Sequence, residues 1–383
     1  MDPMMPSEGE KNLEDLAFDL STKAHVLANS IHPILKNSMA HLVRSMNCYY
    51  SNLIEGHYTH PKDIDRALHA DYETQPEKRN LQLEARAHIE VQELIYHLPA
   101  DTSFVSQEFI KWLHKEFCSR LPEELLIVRN PDTGESIKVA PGEFRTSAVQ
   151  IGKHIPPTAE ELLKYMKRFE EAYNPAYHSK LRQVILIAAS HHRLLWIHPF
   201  YDGNGRVARL FSDSLLRSIN IRNDLWSISR GLARTVQDYK RHLALADLPR
   251  SNDLDGRGHL SQKELTSFCQ YFLEICIDQV EFMEKLLDWK SFLFRLEGLC
   301  ETYIQQGKLF PGSFSILREV FFVGMLERGK VSLVTGYKER QARSVLSQLI
   351  KEEFLTSDTP KGNVKMNFPL KIVGDLFPNL YPA

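Results

Sequence analysis

The stretch Ile197-His198-Pro199-Phe200-Tyr201-Asp202-Gly203-Asn204-Gly205-Arg206-Val207-Ala208-Arg209 decides the fold of the region around it. Before it, residues 181–197 carry apolar side chains at helical spacing, which predicts a buried helix. His198-Pro199 ends that helix, because proline disfavours the α conformation in the residue before it. Residues 206–216 are apolar and helical again, so a tight glycine loop leads into a helix N-terminus. Such a loop favours anion binding, because free backbone N–H groups and the positive end of the helix dipole point into it.

The side chains around this loop suit phosphate chemistry. Arg206 and Arg209 are three residues apart, so they share one helical face and can hold phosphate oxygens bidentately. Asp202 is a hard oxygen ligand of the kind that Mg²⁺ prefers, and His198 can take up a proton near neutral pH. A lone histidine is more often a core residue. Eight fixed residue types in twelve positions, all compatible with one mechanism, favour a functional site instead.

Residues His198 to Arg209 resemble the H-P-F-x-D-G-N-G-R-x-x-R signature of Fic-domain proteins, most of which transfer AMP from ATP to a protein hydroxyl. A weaker resemblance extends over roughly residues 30–290. The resemblance implies that His198 is the base that deprotonates the target hydroxyl, and that Asp202 holds Mg²⁺. It also implies that Phe200 anchors the loop in the core and takes no part in the chemistry.

The same resemblance implies a nucleotide-binding site. In Fic proteins the α- and β-phosphates of ATP lie against the backbone that corresponds to Gly203, Asn204 and Gly205. Arg206 and Arg209 are expected to neutralise the polyphosphate, with Arg209 reaching the γ-phosphate.

An inhibitory element is predicted near the N-terminus. The helix predicted over residues 39–55 places Ser51 and Glu55 on the same side, and Gly56 follows as a plausible cap. A carboxylate in the last turn is disfavoured by the helix dipole, although an exposed glutamate at a helix end is common. Ser51-x-x-x-Glu55-Gly56 resembles the [S/T]-x-x-x-E-[G/N] motif of the Fic inhibitory helix. The resemblance implies that Glu55 pairs with Arg209 and blocks productive seating of the γ-phosphate.

Two further segments are expected to border the site. Helical periodicity stops over residues 128–157, where Gly142-Glu143-Phe144-Arg145 and Val149-Gln150-Ile151-Gly152 are typical of a β-hairpin or an extended segment. An ordinary surface hairpin is one interpretation, and the resemblance implies the other: the Fic flap, here about residues 142–153, which aligns a target segment by adding a strand to it. The helix predicted over 234–248 carries Tyr239. Fic proteins often have a tyrosine here beside the adenine ring, and a buried core tyrosine is the alternative.

The segment Asp253 to Glu264 matches D-x-D-x-x-G-x5-E and so resembles an EF-hand loop. Arg257, however, occupies the fifth position, where Ca²⁺ needs an oxygen ligand. Ser261-x-x-Glu264 is better explained as a capping box that opens a helix over residues 263–289. We therefore expect a structural turn and no calcium site.

Beyond residue 290 the pattern resembles a winged helix-turn-helix. Its candidate recognition helix over 338–352 mixes basic and acidic side chains, so it lacks the basic stripe that DNA binding needs. A packing or protein-contact module is therefore preferred over a DNA-binding one. The other predicted elements are helices near 292–306 and 313–327 and a β-like stretch over 354–368.

Several expectations concern the rest of the chain. Residues 1–12 are polar and contain proline, which predicts a mobile arm. Further helices are predicted over 62–98 and 106–121, and a capping box at Thr158 opens the next one.

The composition is that of an ordinary globular protein, with 43% hydrophobic and 25% charged residues among 383 and a net charge of -2. This charge gives no reason to expect a nucleic-acid or membrane surface. The five cysteines are scattered without a C-x-x-C pair, which predicts reduced core thiols. Residues 1–6 lack the pattern of a signal peptide, and no apolar run is long enough to cross a bilayer. A cytoplasmic protein without a membrane partner is predicted.

The predicted fold class is mainly α: a Fic-fold helical bundle with a small β-hairpin flap and a C-terminal winged helix-turn-helix-like domain. Residues 1–100 form an N-terminal helical region that contains the inhibitory helix at about 39–56. The Fic catalytic domain is predicted over 101–290 and the winged-helix-like domain over 291–383.

The predicted function is transfer of AMP from ATP, with Mg²⁺, to a Ser, Thr or Tyr hydroxyl of a protein docked on the flap, under autoinhibition by Glu55. One alternative stays within Fic enzymes: removal of AMP, a bifunctional enzyme, or another phosphate-containing donor. The other is a DNA-binding regulator whose core only senses nucleotide. Self-modification and a homodimer are left open, and the sequence does not name the target.

Overall fold

The computed structural model of the chain describes residues 1–99, 101–129, 134, 136–222 and 224–382. Helix makes up 63% of the structure, which confirms the predicted mainly α class. The chain forms two compact units. The first comprises Met1–Ala24, Asn47–Asn223 and Ser227–Gln279, and the second comprises His25–Met46, Asp224–Trp226 and Val280–Ala383. The three-domain division made from the sequence stays a prediction.

The first unit is built mainly of helices. In its described residues it also contains a short antiparallel pair of strands, β1 (Ile127–Arg129) and β2 (Ser136–Lys138). Two helices open the chain, α1 (Lys11–Ser30) and α2 (Pro33–Ile54), and the last turns of α2 belong to this unit. The helices that follow are α3 (Pro61–Leu68), α4 (Pro76–Tyr96), α5 (Gln107–Cys118), α6 (Ala159–Ala172), α7 (Lys180–Ile197), α8 (Asn204–Ser218), α9 (Ile228–Arg234), α10 (Val236–Ala246) and α11 (Gln262–Leu287).

Helix α7 lies in the core of the first unit. The Ser179 hydroxyl accepts a hydrogen bond from the backbone N–H of Arg182 (3.4 Å) and caps its start. Every side chain from residue 183 to 194 is buried, as expected for a helix that is apolar around most of its circumference. The helix ends at His198, which adopts the left-handed conformation (φ 50°, ψ 64°), and α8 begins after Gly203 (φ 79°). The predicted order of helix, glycine loop and helix is confirmed.

Predictions about two helices and the N-terminal arm were wrong. The helix predicted over 62–98 is broken, because Pro76 begins a new helix at its first position, where a missing N–H costs nothing. The helix predicted over 263–289 ends at Leu287, and Asp288 caps the next one by accepting from the backbone N–H of Ser291 (2.9 Å). The predicted mobile arm is instead held in place, with Met1 and Met4 buried.

The five cysteines are all buried and free, as predicted. Burial raises the pKa of each of these thiols, so none is ionised near neutral pH. Among the residues that the structure describes, no helix combines the length and the apolar character needed to cross a membrane.

The second unit has its own apolar core, in which Phe292 stacks on Phe321 with ring centroids 4.9 Å apart. Its three short strands are β3 (Met325–Leu326), β4 (Leu355–Thr356) and β5 (Val364–Met366). They form an antiparallel sheet in the order β3-β5-β4. The sequence predicted three helices and a β-like stretch in this order, and the structure contains them. The helix predicted over 313–327 ends at Val323, however, and the strand Met325–Leu326 and the short helix Val331–Thr335 were not predicted. The winged-helix assignment itself stays a prediction. The elements are α12 (Trp289–Gln305), α13 (Ser313–Val323), β3 (Met325–Leu326), α14 (Val331–Thr335), α15 (Glu339–Lys351), β4 (Leu355–Thr356), β5 (Val364–Met366) and α16 (Leu370–Leu376).

Candidate active site

The loop between α7 and α8 is closed by its own polar contacts. The Asn204 side chain accepts a hydrogen bond from the backbone N–H of Phe200 (3.0 Å) and donates one to the Phe200 carbonyl (2.8 Å). Phe200 is buried and stacks face to face on His114 of α5, with ring centroids 3.8 Å apart. Phe200 is therefore the core anchor that the sequence predicted. The Asn204 side chain therefore shapes the loop, and phosphate binding by the backbone of Gly203, Asn204 and Gly205 stays a prediction.

His198 stands at the C-terminus of α7 with its imidazole largely desolvated. Burial lowers the pKa of this imidazole to about 4, and the nearby charges of His154 and Arg145 act in the same direction. A hydrogen bond to the backbone of Leu195 and the charge of Asp202 oppose the shift. At neutral pH the ring is therefore uncharged, and one of its nitrogens can accept a proton.

Arg209 is held by the inhibitory segment, defined here as residues 51–56. Its Nε donates to the Ser51 hydroxyl (2.9 Å), and its Nη2 donates to the Ser51 carbonyl (3.0 Å) and to Glu55 Oε1 (2.5 Å). The Arg209 side chain is 2% exposed and that of Glu55 is 31% exposed. Gly56 follows the helix with φ 86°, the left-handed conformation expected of a glycine cap. The predicted contact between Glu55 and Arg209 is present.

The Glu55 carboxylate also lies against the start of α8. A Cβ atom placed on Gly205 would clash with Glu55 Oε1 and would lie 3.2 Å from Arg209 Nη1. Desolvation works against ionisation of Glu55, but the charges of Arg209 and Arg206 lower its pKa below the ordinary value. An ionised carboxylate therefore fills part of the space beside the helix N-terminus, where a phosphate oxygen would bind.

Arg206 has a partner that the sequence reasoning missed. Its Nη1 pairs with Glu84 of α4, and its Nη2 lies 3.2 Å from Asp202 Oδ2. The second Glu84 oxygen lies 2.7 Å from His57 Nδ1, just after the inhibitory segment. Burial acts to raise the pKa of Glu84, but its hydrogen bond with His57 and the charge of Arg206 lower it overall. Glu84 is 1% exposed, so it is a buried carboxylate shared between Arg206 and His57, the residue that follows the inhibitory segment.

Asp202 fits a magnesium ligand of the kind that the resemblance implies. Its carboxylate is half exposed and is bound on one side by Arg206. Within the described part of the chain, no three His, Cys, Asp or Glu side chains cluster as a metal site. Mg²⁺ usually binds one or two carboxylates together with substrate phosphates and water, and its binding by Asp202 stays a prediction.

Tyr239 lies in the core of the first unit. Its hydroxyl is 2.7 Å from His191 Nε2, and His191 Nδ1 is 2.8 Å from the Ser212 hydroxyl. Burial raises the pKa of Tyr239 well above its ordinary value and lowers that of His191 to about 3, so both stay neutral. Tyr239 is therefore buried, as the alternative prediction of a core tyrosine expected. Its contact with adenine stays a prediction.

The predicted flap is an extended segment in which only Ile151 and His154 form a β-bridge. The sequence allowed either a β-hairpin or an extended segment here, and the structure has the extended segment, so a β-hairpin over 142–152 was wrong. The regular strand pair lies earlier, at β1 and β2. The hydroxyl of Tyr201 fastens the flap to the loop, since it lies 3.1 Å from the backbone N–H of Thr146 and 3.0 Å from the Ser147 hydroxyl. Docking of a target on this flap stays a prediction.

The EF-hand-like segment forms the structural turn that was expected. Asp255 accepts hydrogen bonds from the backbone N–H groups of Ser251 (3.0 Å) and Lys263 (2.9 Å). The Ser261 hydroxyl accepts from the backbone N–H of Glu264 (3.1 Å) and caps α11, as predicted. Asp255 is thus used to hold the turn in place.

The candidate recognition helix α15 pairs its own charges. Arg343 Nη2 donates to Glu339 Oε2 (2.8 Å), and both side chains are about three-quarters exposed. This pairing agrees with the mixed charge seen in the sequence. The preference against DNA binding stays a prediction.

Residues 104–216 match the family model described as the Fic/DOC family, and this span includes α5, the flap, α7, the loop and all but the last two residues of α8. The chain contains a Fic domain. The inhibitory segment and Glu84 lie outside the matched span.

Two relatives and two solved structures place this Fic domain among known proteins. The chain is 47% identical over 75 residues to the protein adenylyltransferase Fic of Drosophila willistoni, and the matched segment covers 20% of this chain and 15% of that protein. The match to the Drosophila virilis protein of the same name is 45% identical over 75 residues, with 20% and 16% covered. The chain thus spans less than a fifth of the length of these relatives.

The solved structures support the fold. A Fic family protein from Desulfovibrio desulfuricans G20 aligns with a TM-score of 0.54 at 15% identity, over 95% of this chain and 98% of that one. Fic-1 from C. elegans aligns with a TM-score of 0.52 at 14% identity, over 71% of this chain and 73% of that one. At this level of identity the likeness establishes the Fic fold alone.

Proposed function

We propose that this protein is a protein adenylyltransferase that its own inhibitory segment restrains. The observation that carries the proposal is the site as a whole: a neutral His198 beside a glycine loop and two arginines, one of which is held by Glu55. The relatives named protein adenylyltransferase support the reaction type.

In the proposed reaction a Ser, Thr or Tyr hydroxyl of a protein attacks the α-phosphorus of ATP. The His198 imidazole takes the hydroxyl proton, the new oxygen–phosphorus bond forms, and the bond to the bridging oxygen breaks to release pyrophosphate. Arg206 and Arg209 offset the charge that develops on the phosphate oxygens. Mg²⁺ bound by Asp202 would supply further neutralisation of the polyphosphate.

The proposed restraint follows from the contacts of Glu55. While its carboxylate holds Arg209 and fills the space beside Gly205, that guanidinium cannot fully engage the γ-phosphate. ATP would then bind with its α-phosphate misaligned for attack, and misalignment of the reacting atoms is costly in rate. Release of Glu55 would restore the alignment.

The proposed reaction is tested with ATP labelled either at the α- or at the γ-phosphate. The purified full chain and its Glu55→Gly variant are each incubated with a cell lysate, and protein-bound label is measured. We expect label from α-labelled ATP only, more with Glu55→Gly than with the parent, and none when His198→Ala is added to Glu55→Gly.

Other outcomes would contradict the proposal in distinct ways. Label from the γ-position would indicate phosphoryl transfer. No label from either position, together with tight ATP binding, would favour the nucleotide-sensing alternative. Loss of pre-formed label on addition of the parent chain would favour the alternative in which the enzyme removes AMP.

A further inference from the structure

Arg145 is a buried arginine whose contacts, as the structure gives them, are all with backbone carbonyl oxygens. Its side chain is 2% exposed. Its Nε donates to the His198 carbonyl (2.8 Å), and its Nη2 donates to the carbonyls of Ile197 (3.4 Å) and Pro157 (2.5 Å). Its Nη1 donates to the Ser147 carbonyl (3.0 Å). A fully buried guanidinium in such a position is expected to have a specific role, since burial of a charge is costly.

The carbonyls that Arg145 binds include those at the C-terminus of α7. The last carbonyls of a helix have no partner within the helix. The Arg145 side chain donates hydrogen bonds to the carbonyls of Ile197 and His198, and its backbone N–H donates one to the carbonyl of Pro199 (2.9 Å). Just before them, the Trp196 carbonyl lies 2.8 Å from His154 Nε2 at the end of the flap. Residues in and next to the flap therefore provide the cap of the helix that carries His198.

His198 needs such support because of its backbone. A residue with a side chain is strained in the left-handed conformation, which His198 adopts with φ 50°, and it holds that conformation only where its surroundings determine it. The direction of the imidazole depends on that backbone. A cation at the C-terminus of α7 is also favoured by the helix dipole.

We propose that Arg145 is a positioning residue for the transfer reaction, which fixes the backbone of His198 and the flap in a single arrangement. A hydroxyl on a target segment docked along the flap would then lie at a set distance from the imidazole. This inference rests on the proposed adenylyl transfer. It adds the coupling between the surface that binds the target and the base that accepts the proton.

The geometry predicts which steps depend on Arg145. It contacts neither Arg206 nor Arg209 among the bonds given above, so ATP affinity should not change when it is replaced. The rate of transfer should fall, because displacement of a catalytic group by about 1 Å can cost ~10²-fold. Lysine keeps the charge but lacks the planar fork of donors, so it should restore only part of the function.

The test uses full chains that carry Glu55→Gly, alone and with Arg145→Lys or Arg145→Met. Arg193→Met is the matched control. Arg193, which lies on α7, is buried like Arg145 and likewise donates to backbone carbonyls, here those of Pro3 (2.9 Å) and Ala246 (3.2 Å). Self-labelling from α-labelled ATP, ATP affinity and melting temperature are measured for each. Relative to Glu55→Gly alone, we expect a ~10²-fold slower transfer for Arg145→Met at unchanged ATP affinity, a smaller loss for Arg145→Lys, and no change in transfer for Arg193→Met.

A second readout is independent of transfer: the titration of the His198 imidazole, followed by NMR of histidine-labelled chains and assigned with His198→Ala. The charged and titratable groups that face this ring are Arg145 and His154 from the region of the flap and Asp202 from the loop. Loss of the guanidinium removes a charge that lowers the pKa of His198, so that pKa should rise in Arg145→Met and stay low in Arg145→Lys and Arg193→Met.

The two readouts separate the possible failures. If no chain transfers AMP to itself or to the proteins of a cell lysate, the proposed function is wrong, and the His198 titration still decides the role of Arg145. Unchanged transfer and unchanged His198 titration in Arg145→Met would overturn the inference. So would equal effects of Arg193→Met, because Arg145 would then act only through general stability.

Discussion

Two ion pairs hold the two signature arginines, and the carboxylates of these pairs differ in their exposure to water. Arg206 pairs with Glu84, which lies in the interior of α4 and is 1% exposed. Arg209 pairs with Glu55, which follows the last turn of α2 and is 31% exposed. The chemistry is the same in both pairs. Burial and position in the helix set them apart.

This difference indicates which carboxylate a phosphate can replace. Separation of a buried pair leaves an uncompensated charge in the core, which costs several kcal/mol. An exposed carboxylate at a helix end can move into water at little cost. We therefore interpret Glu84 as part of the scaffold that orients Arg206, and Glu55 as the exchangeable partner of Arg209.

The largest expected effect concerns His198, the proposed base. In a Glu55→Gly background, His198→Ala should lower the rate of AMP transfer by ~10²–10⁴-fold, because general-base catalysis is lost. ATP affinity and melting temperature should stay close to those of the background chain. Transfer by the double variant at the rate of Glu55→Gly alone would mean that His198 is not the base.

The next effect separates the two pairs by stability. Glu84→Ala should lower the free energy of unfolding by about 3–5 kcal/mol, because Arg206 loses its buried partner and keeps only the half-exposed Asp202. Glu55→Gly should change it by no more than about 1 kcal/mol, because the lost carboxylate is partly exposed and Arg209 keeps its two hydrogen bonds to Ser51. Urea unfolding of the two full-length variants beside the parent measures the contrast, and equal losses would remove the distinction between the pairs.

A third comparison concerns Arg209 itself. Arg209→Ala breaks the same ion pair as Glu55→Gly, but it also removes the group expected to bind the γ-phosphate. Transfer should therefore rise in Glu55→Gly and should not rise in Arg209→Ala, with both rates read from α-labelled ATP. Activation of Arg209→Ala would show that this arginine restrains the enzyme without binding the phosphate.

The smallest effect concerns His57, whose pKa is raised above its ordinary value, first by its hydrogen bond to the Glu84 carboxylate. A group whose pKa is higher in the folded chain stabilises the fold below its unfolded pKa, and this contribution disappears as the pH rises through the folded pKa. His57→Gln should thus destabilise the chain at about pH 5.5 more than at about pH 9, since unfolded histidine titrates near 6.5.

The size of the His57 effect should be less than ~1 kcal/mol, because its side chain is 39% exposed and solvent screens the pair. His97→Gln is the control, since His97 is exposed and lies at the end of α4. Equal shifts for the two variants at both pH values would show that the pair with Glu84 does not contribute.

The parts of the site that were predictable are those that contiguous residues build. The loop from His198 to Arg209 and its flanking helices depend on local rules for glycine, proline and apolar spacing. The contact between Glu55 and Arg209 spans 154 positions, and it was predicted only because the short motif at Ser51 resembles a known inhibitory one.

The parts that were missed depend on distant partners. Glu84 lies 122 positions from Arg206, and Arg145 lies 53 positions from His198. On α4 the polar residues Glu84, His88 and Gln92 recur every four positions and are all buried, but a sequence does not say which face of a helix is turned inward. A polar stripe at this spacing is the signal that could have indicated a buried network.

The most direct test of the central claim is the initial rate of protein labelling from α-labelled ATP by four full-length chains: the parent, Glu55→Gly, Glu84→Gln, and Glu55→Gly with His198→Ala. We predict that Glu55→Gly alone is faster than the parent, by ~5–150-fold if the restraint has the size of a typical coupling between sites. Glu84→Gln should be no faster than the parent, and the double variant should be inactive. Activation by Glu84→Gln, or no activation by Glu55→Gly, would contradict the assignment of Glu55 as the exchangeable carboxylate.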